Sequence, residues 1–200
     1  MKPQPLVVLA LAAALAASVT VHAQQPPTRW TIDPAHSAAS FGVKHMLVST
    51  VRGTLGPVTG SIWYDGKNLS SIKADVSIDV KGLSTGVAQR DAHLRTPDFF
   101  AVDQFPAITF KSTRVVPGAG GAFKLIGDLT IRDVTKEVTL DVDALPATIT
   151  AQGAQRTATS ATTTINRFDY NLKWNGLIEA GGAVVGPDVK VQIDLEVVRK

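Results

Sequence analysis

Residues 189–197 read VKVQIDLEV. Val189, Val191, Ile193, Leu195 and Val197 alternate with Lys190, Gln192, Asp194 and Glu196. Successive side chains of an extended strand point to opposite faces, so this stretch has one oily face and one wet face. Such a half-buried strand belongs in an antiparallel sheet that packs on one side only. The same period governs IKADVSIDV (72–80), where Ile72, Ala74, Val76, Ile78 and Val80 oppose Lys73, Asp75, Ser77 and Asp79. In KEVTLDV (136–142), Val138, Leu140 and Val142 share a face.

Outward from these three, weaker alternation predicts strands at 29–33, 37–47, 51–64, 106–116, 122–132 and 158–168. Asp65-Gly66 and PGAGG (117–121) are turn chemistry between them. Gly53, Gly56 and Gly60 interrupt what reads as one long strand and predict bulges or bends of the kind a closing barrel needs. Residues 148–164, rich in Thr, Ala, Ser and Gln, predict a long hairpin end with loose patterning. One helix is predicted over about 87–95, with Asp91 and Arg95 at i and i+4. GLIEAGGAVVG (176–186) reads as a brief helix or a loop, being too rich in glycine for a firm helix. No repeat and no linker divides the chain. The pattern is all-β and antiparallel, with eight strands or slightly more. Such a chain closes as a barrel or stacks as a sandwich, and alternation alone leaves both open. An eight-stranded barrel has an interior just wide enough for side chains or for one slim ligand.

Residues 1–23 read as a secretory signal peptide. Lys2 starts it, LVVLALAAALAA (6–17) forms its apolar run, and Val21-His22-Ala23 offers a cleavage site after Ala23. The run falls short of the ~20 residues a membrane span needs. Residues 24–200 are then a single domain, periplasmic or secreted. There are no cysteines, which removes disulfides, thiol catalysis and cysteine metal sites. The net charge is only +3, one unit of it from Lys2, and evenly spread, which argues against nucleic acid.

Gly82-Leu83-Ser84-Thr85-Gly86 matches the G-x-S-x-G pattern of a serine-hydrolase elbow, with Asp91 and His93 nearby. That elbow needs a parallel α/β sheet, and this chain has no βαβ alternation. The stretch reads as a glycine-bounded strand exit. Beyond the leader the histidines are His36, His45 and His93, and none has metal-ligand spacing, so no metal is expected. His36 follows Asp33-Pro34 and reads as a turn residue. His45 lies in phase with Phe41 and Val43 and points where they point. In QRDAHLRTPDFF (89–100), charged and titratable groups run straight into Phe99 and Phe100, which suits either an active site or a lid over something greasy.

Several stretches together are similar to one family. WTIDPAHSAASFGVKHM (30–46), VRGTL (51–55), RDAHLRTPDFF (90–100), FPAITFKST (105–113), GDLTIRDVTKEVTLDV (127–142) and INRFDYNL (165–172) resemble, in order and spacing, the YceI-like family of exported lipid- or polyisoprenoid-binding proteins. The chain departs from the pattern at Asp133, where many members carry glycine, and in a longer, blander segment at 148–160. The resemblance implies a lipocalin-like antiparallel β-barrel of about eight strands with a short capping helix, holding a long isoprenoid or fatty chain along its axis. It implies a periplasmic, stress-related binding or carrier protein with no catalytic residues and no cofactor beyond the bound lipid. Arg90, Asp91 and His93 would tie the cap down or meet a polar head, while Phe99 and Phe100 roof the bore. Further ligand contacts are expected on shared strand faces: Phe41, Val43 and His45; Ile62 and Tyr64; Ile108 and Phe110. Asn166 and Phe168 come from a matching block, although alternation lets only part of that block face inward. The partner is a long-chain lipid, with brief contact to a membrane or a carrier, and a dimer is compatible. Two other functions stay open at this point: a lipid-directed serine hydrolase using Ser84 and His93, and a ligand-free β-domain acting through its surface as a stress-related interaction module.

Overall fold

The computed structural model describes residues 27–177 and 182–199. The signal-peptide reading of 1–23, and residues 178–181 of the glycine-rich segment, lie outside them. Among the described residues there are eleven strands and one α-helix. In chain order the elements are β1 (Thr28–Ile32), β2 (Ala38–His45), β3 (Ser49–Thr54), β4 (Val58–Tyr64), β5 (Lys73–Asp79), α1 (Ala88–Arg95), β6 (Ala107–Pro117), β7 (Phe123–Ile131), β8 (Val134–Val142), β9 (Ile149–Ala151), β10 (Ala154–Asn166) and β11 (Val185–Arg199).

Eight of the strands form a closed antiparallel ring in the order β11-β1-β4-β5-β6-β7-β8-β10, and β10 pairs back onto β11. This is the predicted barrel. Its closing seam runs without a break from Gln155 opposite Arg199 to Asn166 opposite Asp188. The other edge of β11 is shared. β1 pairs with it at Val197 and Val198, and β2 pairs with it from Val189 to Asp194. β3 continues outward from β2, and β9 adds to the start of β10.

Between β1 and β2 the chain must step from one stretch of that shared edge to the next. A polar corner fixes the step. The Asp33 amide donates to the Glu196 carbonyl at 2.9 Å, and the Glu196 amide donates to Ser37 Oγ at 3.0 Å. His36 Nδ1 meets Asp33 Oδ2 at 3.0 Å, as its turn context suggested. Arg156 from β10 reaches both Asp33 and Glu196, at 3.2 and 2.5 Å, and so ties the corner across the seam.

The predicted strand 51–64 is in fact two. β3 ends at Thr54, which pairs with Ser84, and β4 starts at Val58. Gly56 marks the break: a Cβ there would lie 1.8 Å from the Asp79 carbonyl oxygen, so only glycine allows the crossing. The β7–β8 turn shows why Asp133 is tolerated without glycine. The left-handed backbone falls on Arg132, at φ 56°, and not on Asp133.

Gly60 has φ +139°, and a Cβ on it would sit 2.1 Å from the Asp75 carbonyl oxygen on β5. Gly60→Ala combines backbone strain with a clash in a paired strand. It is expected to lower the unfolding free energy by about 2–4 kcal/mol, measured by urea denaturation, while Thr59→Ala next door changes it by less than about 1 kcal/mol.

Candidate functional site

The barrel is hollow. A cavity of about 620 Å³ runs inside it. The alternation of β11 delivers Val189, Val191, Ile193, Leu195 and Val197 to its wall. Only Val197 of these is fully buried; the other four are half-buried although they point inward, because they face open space rather than packed protein. On the far side, Ala74, Val76 and Ile78 from β5 and Ile108 and Phe110 from β6 are buried against the sheet and also line the space.

β10 explains why the space is there. Its inward residues are Thr157, Thr159, Ala161, Thr163 and Ile165, mostly small. A barrel of eight strands leaves an interior that large side chains would fill. Here one full-length wall carries short ones, and the axis stays open.

The structure places Phe41, Val43, His45, Ile62, Tyr64, Arg90, His93, Phe99, Phe100, Ile108 and Phe110 on the cavity wall. Asn166 and Phe168 are not there. Both are exposed, and Asn166 caps a short 3₁₀ turn (Arg167–Tyr170) by accepting from the Phe168 amide at 3.0 Å. The residue between them faces inward instead. Arg167 continues the phase set by Thr163 and Ile165, is buried, and touches the cavity. Its guanidinium donates to the carbonyls of Gly186 (2.9 Å), Trp174 (2.8 Å), Val185 (3.1 Å) and Leu172. Four carbonyl dipoles thus take the place of a counter-ion, and burial draws the guanidinium below its ordinary value. Arg167 clamps segment 172–174 to the start of β11, and Phe168 stacks outside it with the guanidinium 4.3 Å from the ring centre.

α1 covers the same end. Its polar residues are fasteners. Arg90 Nε donates to Thr85 Oγ1 at 2.7 Å and Nη2 to the Thr85 carbonyl at 3.0 Å. The buried Asp91 carboxylate accepts from the Thr85 amide at 2.8 Å, from the Thr85 hydroxyl, and from Ser84 Oγ at 3.4 Å. Arg95 donates to the carbonyls of Lys81 (3.0 Å) and Leu83 (2.6 Å). His93, in the last turn of α1, joins Phe99 and Trp174 in an aromatic cluster with ring centres 4.9–5.3 Å apart. His93 Nε2 meets Asp98 Oδ2 at 2.9 Å. Ser84 and His93 therefore have separate partners, and no hydrogen bond joins them among the described residues.

The wall also has residues that alternation did not flag. Trp174 comes from an irregular stretch, where no period exists to read, and the β10 threonines are too polar to mark an inner face. Lys44, Val87 and Gln89 line the cavity and are exposed as well, which sets its opening between the end of β2 and the start of α1. The polar groups Lys44, His45, Gln89, Arg90, His93 and Arg167 gather at this mouth. The depth is apolar apart from the threonine hydroxyls and Tyr64.

The YceI-like domain model matches residues 30–197. A UPF0312 protein of Staphylococcus aureus (strain N315) is 36% identical over 170 residues, covering 84% of this chain and 96% of that one. A crystal structure of a Campylobacter jejuni YceI protein superposes with a TM-score of 0.67 at 26% identity, covering 78% of this chain and 90% of that one. Burkholderia cenocepacia BcnA shares the fold, with a TM-score of 0.68 at 22% identity over 82% of this chain and 98% of that one. So does a polyisoprenoid binding domain from Saccharophagus degradans, at 0.63 and 18% identity over 86% of this chain and 98% of that one.

The hydrogen bonds that Asp91 accepts hold its carboxyl below the usual aspartate range. Its contribution is thus complete above the unfolded-state value near 3.8 and is lost as pH falls through the lower folded value. Hydrogen exchange of the α1 amides is expected to quicken relative to the barrel strands as pH drops below about 4, beyond the intrinsic pH dependence of exchange. Asp91→Asn should loosen α1 already at neutral pH and flatten that response.

Proposed function

The chain belongs to the YceI-like domain family, and from that premise we propose that it is an exported, periplasmic or secreted carrier that holds a long-chain polyisoprenoid or a related lipid in its barrel. The open, apolar bore is the observation that carries this reading. A cavity of about 150 Å³ suffices for a benzene ring. The 620 Å³ here therefore takes on the order of four such volumes, or some two dozen carbons. The solved Saccharophagus degradans neighbour is described as a polyisoprenoid binding domain, which agrees with a slim unsaturated chain in a bore of this kind.

Burial of hydrocarbon drives the binding. At about 0.8 kcal/mol per CH₂, twenty carbons contribute on the order of 16 kcal/mol before costs. Lost motion and chain ordering take back a large share. A neutral head-group hydrogen bond at the mouth nets only about 0.5–1.5 kcal/mol. No reaction is needed for this role: the fasteners of α1 hold backbone, and His93 is engaged with Asp98 and two aromatic rings. The carrier makes brief contact with a membrane when it loads or unloads. Nothing in this role calls for a metal or a nucleic acid.

Organic extraction and mass spectrometry of the purified protein test the reading. About one long-chain lipid per barrel is expected. Ala161 is buried and faces the bore from the middle of β10. Ala161→Phe should cut the extracted lipid several-fold while the fold survives; lipid-free wild-type preparations from a prenyl-rich host would overturn the carrier role. In an affinity series, shortening the chain by five carbons should weaken binding at least a hundredfold, while exchange of one neutral head group for another changes it less than about tenfold.

A further inference from the structure

The hairpin between β2 and β3 carries an apolar tip that the barrel does not cover. Met46 is 42% exposed, Leu47 70% and Val48 84%. The backbone there is not one these residues favour. His45 and Ser49 pair, and the Val48 amide donates to the His45 carbonyl at 3.1 Å. Met46 and Leu47 both take left-handed φ values, 52° and 61°. Two successive residues of this kind make a type I′ turn, whose preferred pair is Asn-Gly. Met-Leu is a poor choice for the backbone, and its side chains gain little packing within the chain.

The tip stands at the cavity mouth. Lys44 and His45, just before it, line the opening, and the Met46 amide donates to the Val184 carbonyl at 2.9 Å. Val184 in turn donates to Gly176, so Leu177, 91% exposed, projects from the neighbouring segment. Along β2, β3 and β4 the hairpin's own stretch of chain carries cations and no carboxylate, while the bulged start of β11 brings Asp188 near Lys44. From Pro34 to Tyr64 the chain contains Lys44 and Arg52 but no aspartate or glutamate. Neither cation makes a salt bridge among the described residues. Lys190 lies across from Gly42 on the outer face, beside Arg52; the nearest carboxylate along that strand face is Asp188.

We propose that Met46, Leu47 and Val48, backed by Lys44 and Arg52, form a docking tip that inserts into the surface of an anionic lipid bilayer and presents the barrel mouth to it. Exposed apolar side chains beside cations that form no salt bridge among the described residues suit such a surface: the first enter the acyl boundary and the second meet acidic head groups. The proposal rests on the carrier reading, since a ligand this apolar leaves a membrane at far less cost when its binding site opens against the bilayer than when it must cross water.

The test uses residues 24–200, which hold every strand of the barrel and lack the apolar leader that would itself bind lipid. Flotation with unilamellar vesicles of phosphatidylethanolamine and phosphatidylglycerol is expected to carry the protein, with at least fivefold weaker partition onto phosphatidylcholine vesicles. The double substitution Met46→Asn, Leu47→Gly supplies the preferred turn pair, so its thermal midpoint should be unchanged or higher. Its partition onto the anionic vesicles should fall at least tenfold. Wild-type protein that stays with the unbound fraction, or a double variant that partitions within twofold of wild type, overturns the proposal. So does a dimer in light scattering that the double variant abolishes, which would assign the tip to a second copy of the chain. Extracted lipid is read on the same samples. A loaded protein that does not float defeats the docking tip alone, and a floating protein that yields no lipid defeats the carrier role alone.

Discussion

Closure of the sheet is the constraint from which the rest follows. Once β10 pairs with β11 along its whole length, every strand of the ring has an inside and an outside, and alternation assigns each residue to one or the other. Among the described residues there is no second sheet to supply opposing side chains, so the ring must fill its own middle. β11, β5 and β6 supply branched and aromatic residues, but β10 supplies threonine and alanine along most of its length. The deficit is the cavity. Its hydrophobic wall and its volume are consequences of the same seam.

Two clusters of polar groups stand where the ring is under geometric demand. At one, the corner of Asp33, His36, Arg156 and Glu196 lets β1 and β2 share an edge of β11 without opening it. At the other, Arg167 and the fasteners of α1 hold irregular backbone around the mouth. In both, side-chain donors and acceptors satisfy backbone groups that the β-ladder leaves unpaired, which a partly buried position requires. The charged run before Phe99 and Phe100 is thus resolved: its arginines and Asp91 pin the cap, and His93 joins the rings that close the bore.

The candidate wall was readable wherever hydrophobicity marked the phase of a strand. Phe41, Val43 and His45 share a face by simple alternation, and so do Ile62 with Tyr64 and Ile108 with Phe110. All of them reach the cavity. Reading failed at the end of β10 because its inner face is built of threonines, which look like an outer face. Nothing before Ile165 showed which way Asn166, Arg167 and Phe168 would point. A charged residue taking the inner position, against two neighbours with more obvious claims, is set by carbonyls from segments 172–174 and 185–186 that converge only in the fold.

The amino-acid sequence by itself determined the antiparallel strands, their two faces, the short helix α1 and the family. Each of these depends on neighbours a few residues apart, or on motifs held in order along the chain. The family resemblance implied a closed barrel with a chain along its axis, but alternation left closure open, and the tertiary structure decided that the sheet closes, that its axis stays hollow and that an apolar hairpin tip stands at the opening. Those outcomes depend on which strands meet and on how much volume facing side chains fill together, and no local period encodes either.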